Sequence, residues 1–84
     1  MNDYYVTFRS LTSAQQGSFE ISKNGIKAVL IRTPKNLSSA GCGYALRINP
    51  TWIRHVLKIL HESNIPFEKI MRSDHPGSFR EVWL

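Results

Sequence analysis

Short apolar stretches alternate with polar ones along the chain, and the spacing of the apolar positions changes from stretch to stretch. Tyr4 to Phe8 (Tyr-Tyr-Val-Thr-Phe) is β-branched and aromatic and closes at Arg9-Ser10, which predicts a first strand. From Ser10 the period lengthens. Ser10 or Thr12 can cap a helix whose apolar positions Leu11, Ala14, Phe19 and Ile21 fall on one face, with Asn24-Gly25 as its stop. Ile26 to Arg32 predicts a second strand closed by Thr33-Pro34, and Gly43 to Ile48 a third, so residues 33–42 form a long connection between two strands. Asn49-Pro50-Thr51 then offers a cap with proline at the first helical position. Trp52, Val56, Ile59 and Leu60 recur at helical spacing after it, with Ile53 and Leu57 widening the stripe. Ser63-Asn64 ends this second helix, and Ile65 to Met71 predicts a fourth strand, with Pro66 near its start where a missing donor is tolerated.

Strand, helix, strand, strand, helix, strand is the order of an α+β, ferredoxin-like βαββαβ sandwich, an antiparallel sheet with both helices on one face. Residues 1–72 make up this domain. Residues 73–84 form a C-terminal tail whose Phe79, Val82, Trp83 and Leu84 are too apolar for a free end; the tail packs on its own chain, adds an edge strand, or meets a second copy in a homodimer. In this topology the first and third strands are antiparallel neighbours. The end of one and the start of the other therefore share one edge of the sheet, with Arg9, the start of the first helix, the 33–42 connection, and the end of the second helix with His61 and Asn64.

Composition narrows the chemistry. A chain of 84 residues is one domain with a small core. Its start, Met1-Asn2-Asp3-Tyr4-Tyr5, lacks the basic and apolar regions of a signal peptide, and no apolar run is long enough to span a bilayer, so a cytoplasmic protein with no membrane contact is expected. A single cysteine excludes an internal disulfide, and the isolated His55, His61 and His75 have no zinc-site spacing, so neither a metal nor another cofactor is expected. A formal net charge of +5 favours an anionic ligand, an acidic protein partner or nucleic acid. No Ser-His-Asp arrangement, paired carboxylates or glycine-rich phosphate loop is present, which points to a carrier or accessory protein rather than a self-sufficient enzyme.

The single cysteine is the candidate reactive atom. Cys42 lies between Gly41 and Gly43, and glycine on both sides lets the backbone turn sharply and a large partner approach the sulfur. Free cysteine usually packs as a small hydrophobe; the polar and basic run before it (Arg32, Lys35, Asn36, Ser38, Ser39) argues here for a loop-to-strand junction instead. A thiol of pKa about 8.5 is only a few per cent thiolate at neutral pH, and a nearby helix N-terminus or arginine lowers that value. Arg9 is the first candidate for that role, Lys35 the second and Arg47 the third. Ser38 and Ser39 can hydrogen-bond a sulfur-bound group or cap a turn.

The run Arg32-Thr33-Pro34-Lys35-Asn36-Leu37-Ser38-Ser39-Ala40-Gly41-Cys42-Gly43-Tyr44-Ala45-Leu46-Arg47, with the opening Tyr-Val-Thr-Phe-Arg-Ser strand into a helix, resembles the small selenium/sulfur carrier-like proteins over about residues 4 to 72. The resemblance implies that Cys42 carries sulfur or selenium as a persulfide or selenide in a cytoplasmic bacterial setting. It implies a donor protein such as a cysteine desulfurase, and an acceptor protein. Lys35-Asn36 replaces the family's common Arg-Glu, and Ala40-Gly41 stands where a third serine often precedes the cysteine, so a serine contact there does not carry over.

Two other classes compete with a carrier. An RNA-binding module shares this element order, and Tyr5 and Tyr44 would be its stacking residues; the third strand, Gly-Tyr-Ala-Leu-Arg-Ile, lacks the second aromatic and the Lys/Arg-Gly-Phe opening, which disfavours nucleic acid. A ferredoxin-like module that binds a small ligand or partner without thiol chemistry is the other, and for it a Cys42→Ser change is silent.

Overall fold

The computed structural model describes residues 3–33, 43–75 and 78–84. In chain order they form β1 (Tyr4–Phe8), α1 (Leu11–Lys23), β2 (Ala28–Arg32), β3 (Tyr44–Ile48), a 3-10 turn (Pro50–Trp52) leading into α2 (Ile53–Glu62), β4 (Lys69–His75) and β5 (Ser78–Glu81). The caps expected from the sequence are in place. Ser10 Oγ accepts the Ser13 N–H at 3.1 Å, and Asn49 Oδ1 accepts the Thr51 N–H at 2.9 Å ahead of Pro50.

The architecture is α+β: one sheet of order β2-β3-β1-β4-β5, antiparallel at every pairing, with two helices. Five strands replace the expected four. The tail supplies the fifth, because its apolar groups find partners beside β4: Phe79 packs edge-on against Tyr5 with ring centroids 5.3 Å apart, and the Val82 N–H donates to the Ile70 carbonyl at 2.9 Å. The fourth strand also starts later than expected. Residues 63–65 finish α2, with the Ile65 N–H on the Leu60 carbonyl at 3.0 Å and Asn64 at φ 55, and Pro66 has no donor; Glu68 makes the first link, its N–H to the Thr7 carbonyl at 2.6 Å. β4 therefore runs through position 72 into the tail.

Arg72 and Arg80 face each other across β4 and β5, a like-charge pair that Asp74 bridges at 3.1 Å and 3.6 Å. The hydrogen bond that Arg72 donates to Asp74 is the main reason its guanidinium is held above its ordinary value.

Register puts the core on one face of the sheet. Val6 sits opposite Leu46 and Ile70, and Tyr4 opposite Ile48; with Phe8 these side chains pack against Ala14 and Ile21 of α1 and Ile53, Val56, Ile59 and Leu60 of α2. The two helices meet over that face. A Cβ added at Gly17 would stand 3.2 Å from Leu60 Cδ2, 3.3 Å from Phe8 Cζ and 3.4 Å from Leu46 Cδ1, so the absent side chain is what lets α1 approach. The buried stripe of α1 is thus Ala14, Gly17 and Ile21, and Phe19, expected on that stripe, is 64% exposed because it lies two residues off it. Trp52, which the 3-10 turn holds ahead of α2, is also largely exposed.

Candidate functional site

The candidate site lies at the end of the sheet where β1 finishes and β3 begins. Phe8 and Arg32, the last residues of β1 and β2, both pair with Tyr44, the first residue of β3. One residue further out, the Thr33 N–H donates to the Gly43 carbonyl at 3.1 Å. That bond closes the base of the connection between β2 and β3. Cys42, Gly41, Ser38, Ser39 and Lys35 fall in residues 34–42 and lie outside the described residues; Gly43 and Arg9 are described.

Gly43 has φ +133, a conformation that residues with a side chain rarely adopt, and a Cβ there would sit 3.0 Å from the Phe8 carbonyl oxygen and 3.6 Å from Thr33 Oγ1. The position is closed to a side chain by backbone geometry and by a rigid neighbour at once. Gly43→Ala is expected to lower stability by about 1–3 kcal/mol, read as a drop in the urea midpoint at unchanged slope; an unchanged midpoint would contradict this account of the loop base.

Arg9 follows β1 directly. Its side chain is 85% exposed and its Nε donates to Glu68 Oε2 at 3.2 Å, so the guanidinium is held beside the entry to β4 with part of its charge offset. Arg9, Ser10, Ser13, Pro66, Phe67 and Glu68 line one hollow, and His61 and Asn64 line the next with Pro66 and Phe67 in common. The start of α1 and the end of α2 do gather at this edge, as the topology predicts.

Arg47 does not join them. It pairs opposite Tyr5, four positions along β3 from Gly43 or roughly 13 Å at strand rise, and its Nε is 4.0 Å from Asp3 Oδ2. Sequence reasoning ranked it for its nearness to Cys42 in the chain, but a strand carries residues away at full extension. The same register separates the two tyrosines on which RNA stacking depended. Tyr5 pairs with Arg47 whereas Tyr44 pairs with Phe8, so they stand on opposite faces of the sheet and form no common platform.

Two residues enter the site that the sequence did not single out. Arg32 lies over the Tyr44 ring, 5.8 Å from its centroid, at the last position of β2. Thr33 is 6% exposed, and its hydroxyl has no hydrogen-bond partner among the described residues. In the sequence Thr33 reads only as a strand stop before proline, and nothing in the residue type betrays its burial. Among the described residues no group of three or more His, Cys, Asp or Glu is placed to hold a metal, and no helix is long and apolar enough to cross a membrane.

A family model described as "Putative Se/S carrier protein-like" matches residues 3–72, from the residue before β1 into β4. The chain belongs to this family. No curated protein and no solved structure matches it.

Proposed function

We propose that this chain is a cytoplasmic bacterial carrier that holds sulfur or selenium on Cys42 and passes it to an acceptor protein. The observation that carries the reading is the family match, which spans the segment with the chain's single cysteine between two glycines. The loop base described above is consistent with it: Thr33 and Gly43 bring the two ends of the connection together at an edge that also collects the start of α1. In this reading β1 to β4 with the two helices are a ferredoxin-like carrier domain over residues 1–72, and residues 73–84 extend its sheet.

For sulfur, the chemistry is thiolate exchange with a protein persulfide. The Cys42 thiolate attacks the outer sulfur of the donor's S–S bond; a new S–S bond forms on Cys42, the donor's S–S bond breaks, and the donor leaves as a thiolate. The product persulfide then meets an acceptor that attacks the outer sulfur in turn, returning Cys42 to the thiolate. No electrons enter from outside, so no redox cofactor is required. Gly41 beside Cys42 carries no side chain to obstruct the incoming persulfide, and Ser38, Ser39 and Lys35 are the polar and cationic groups that precede it in the connection.

The test is the pH dependence of alkylation of Cys42 in the folded protein. A carrier thiol reacts without denaturant, and its rate rises through a midpoint at or below the ordinary thiol value of about 8.5; a thiol that reacts only on unfolding would remove the proposal. Arg9→Ala gives a companion result. A solvated cation at this edge of the sheet contributes modestly to a thiolate there, and Glu68 offsets part of it, so alkylation below the midpoint is expected to slow by about two- to fivefold. An unaltered rate would take Arg9 out of the site.

A further inference from the structure

We propose that the hollow where the helix-free face of the sheet meets the start of α2 binds a mononucleotide, with its phosphate on Lys27 and Arg47 and its base on Trp52. Asp3, Lys27, Val29, Arg47, Asn49 and Trp52 line this hollow of about 360 Å³, a volume at the lower end of small-molecule sites. It shares no residue with the edge that bears the candidate thiol site.

Strand periodicity places the two cations. Leu46 and Ile48 are fully buried, so Arg47 between them turns to the face away from the helices, where it pairs opposite Val29. Ala28 packs against the core, and Lys27 and Val29 on either side of it turn the same way as Arg47. Neighbouring strands lie roughly 4.8 Å apart, so one phosphate can meet both cations. Asp3 offsets only one of them: its Oδ2 is 4.0 Å from Arg47 Nε, beyond hydrogen-bond distance, and two cations against one carboxylate leave the lining net positive. This is the anionic ligand that the basic composition favours.

Trp52 gives the hollow a second chemistry. Asn49 accepts the Thr51 N–H on its side chain and the Trp52 N–H on its carbonyl, each at 2.9 Å, which fixes the 3-10 turn under the indole. The indole is 45% exposed, and His55 beside it stands at 90° to its plane, so among the described residues no ring lies parallel on it. An open aromatic face stacks a base, while Lys and Arg hold a phosphate through charge-assisted hydrogen bonds. Val29 supplies an apolar side, and a hollow of this volume takes one nucleotide rather than a strand.

Trp83→Phe leaves Trp52 as the chain's one tryptophan. In that protein at low salt, titration with the nucleoside 5′-monophosphates is expected to quench Trp52 emission saturably. Followed by calorimetry, Arg47→Gln and Lys27→Gln each weaken binding by about three- to tenfold, and Trp52→Ala by about tenfold, with Trp52→Phe restoring most of it. Asp3→Asn removes a competing carboxylate and tightens binding by about two- to threefold. The substituted side chains at 27, 47 and 52 are exposed, so unchanged thermal midpoints are expected to accompany these losses. Quenching that never saturates, or affinity unaltered in Arg47→Gln, would overturn the proposal. Ribose 5-phosphate bound as tightly as the nucleotides would overturn it too, since the base would then contribute nothing. So would a single-stranded oligonucleotide bound far more tightly than any monophosphate, which would make the hollow part of a longer nucleic-acid track. Sulfur uptake plays no part in these readouts, so they bear on this hollow alone.

Discussion

Cys42→Ser is expected to abolish uptake and transfer of sulfur outright while leaving the fold intact. Serine keeps the approximate size of the side chain, but its hydroxyl neither ionises at neutral pH nor forms a persulfide. The described core residues, Val6, Phe8, Leu46, Ile48, Val56 and Leu60 among them, pack into one cluster with one another, and the fold is expected to rest on them. The far-UV circular dichroism and thermal midpoint of the variant should therefore match the unsubstituted protein, while transfer to an acceptor falls to background. Full transfer by Cys42→Ser would move the function to a surface that needs no thiol, such as the exposed face of the sheet or the tail.

Phe8→Ala is expected to cost about 3–5 kcal/mol, the largest stability loss of any single truncation at the edge that bears the site. Phe8 is 1% exposed, and its ring end approaches the space over Gly17 where α1 meets α2. Its own carbonyl lies against Gly43. The side chain therefore joins the helix layer to the loop base, and its loss opens a cavity that neither can fill by a small movement. Small domains have only about 5–15 kcal/mol to lose, so a large fraction of the total goes with one ring. Urea unfolding should show the drop in midpoint, with Phe19→Ala as the control: that ring is 64% exposed, and its removal should change stability by no more than about 0.5 kcal/mol. Equal losses at the two positions would contradict the placement of the core.

Most of the local structure was legible because local chemistry decides it. Ser10 and Asn49 cap the elements that follow them, Asn24-Gly25 stops α1, and Val56, Ile59 and Leu60 of the stripe expected for α2 are buried, with Ile53 in the place expected of Trp52. What the sequence misjudged depends on partners distant in the chain. Phe19 looked like a core residue because aromatic residues bury well, yet the helix approaches through Gly17, whose use appears only once Leu60 and Phe8 are set against it. The fourth strand was expected at Ile65 because the run is apolar, but Ile65 completes the end of α2 and the ladder waits for Glu68. Arg47 was ranked for its nearness to Cys42 in the chain, but a strand carries residues away at full extension; Tyr5 and Tyr44, the stacking residues of the disfavoured RNA reading, prove to stand on opposite faces. At the candidate site the edge itself was foreseen and Thr33 was not, since burial of a threonine beside a proline leaves no mark in composition.

Intact-protein mass after incubation with a cysteine desulfurase and cysteine tests the central claim most directly. The account predicts an increase by the mass of one or more sulfur atoms, removed by a thiol reductant and missing in Cys42→Ser. A chain that stays at its unmodified mass, while its folded-state thiol resists alkylation, would contradict the carrier account and make Cys42 a core residue of a binding module.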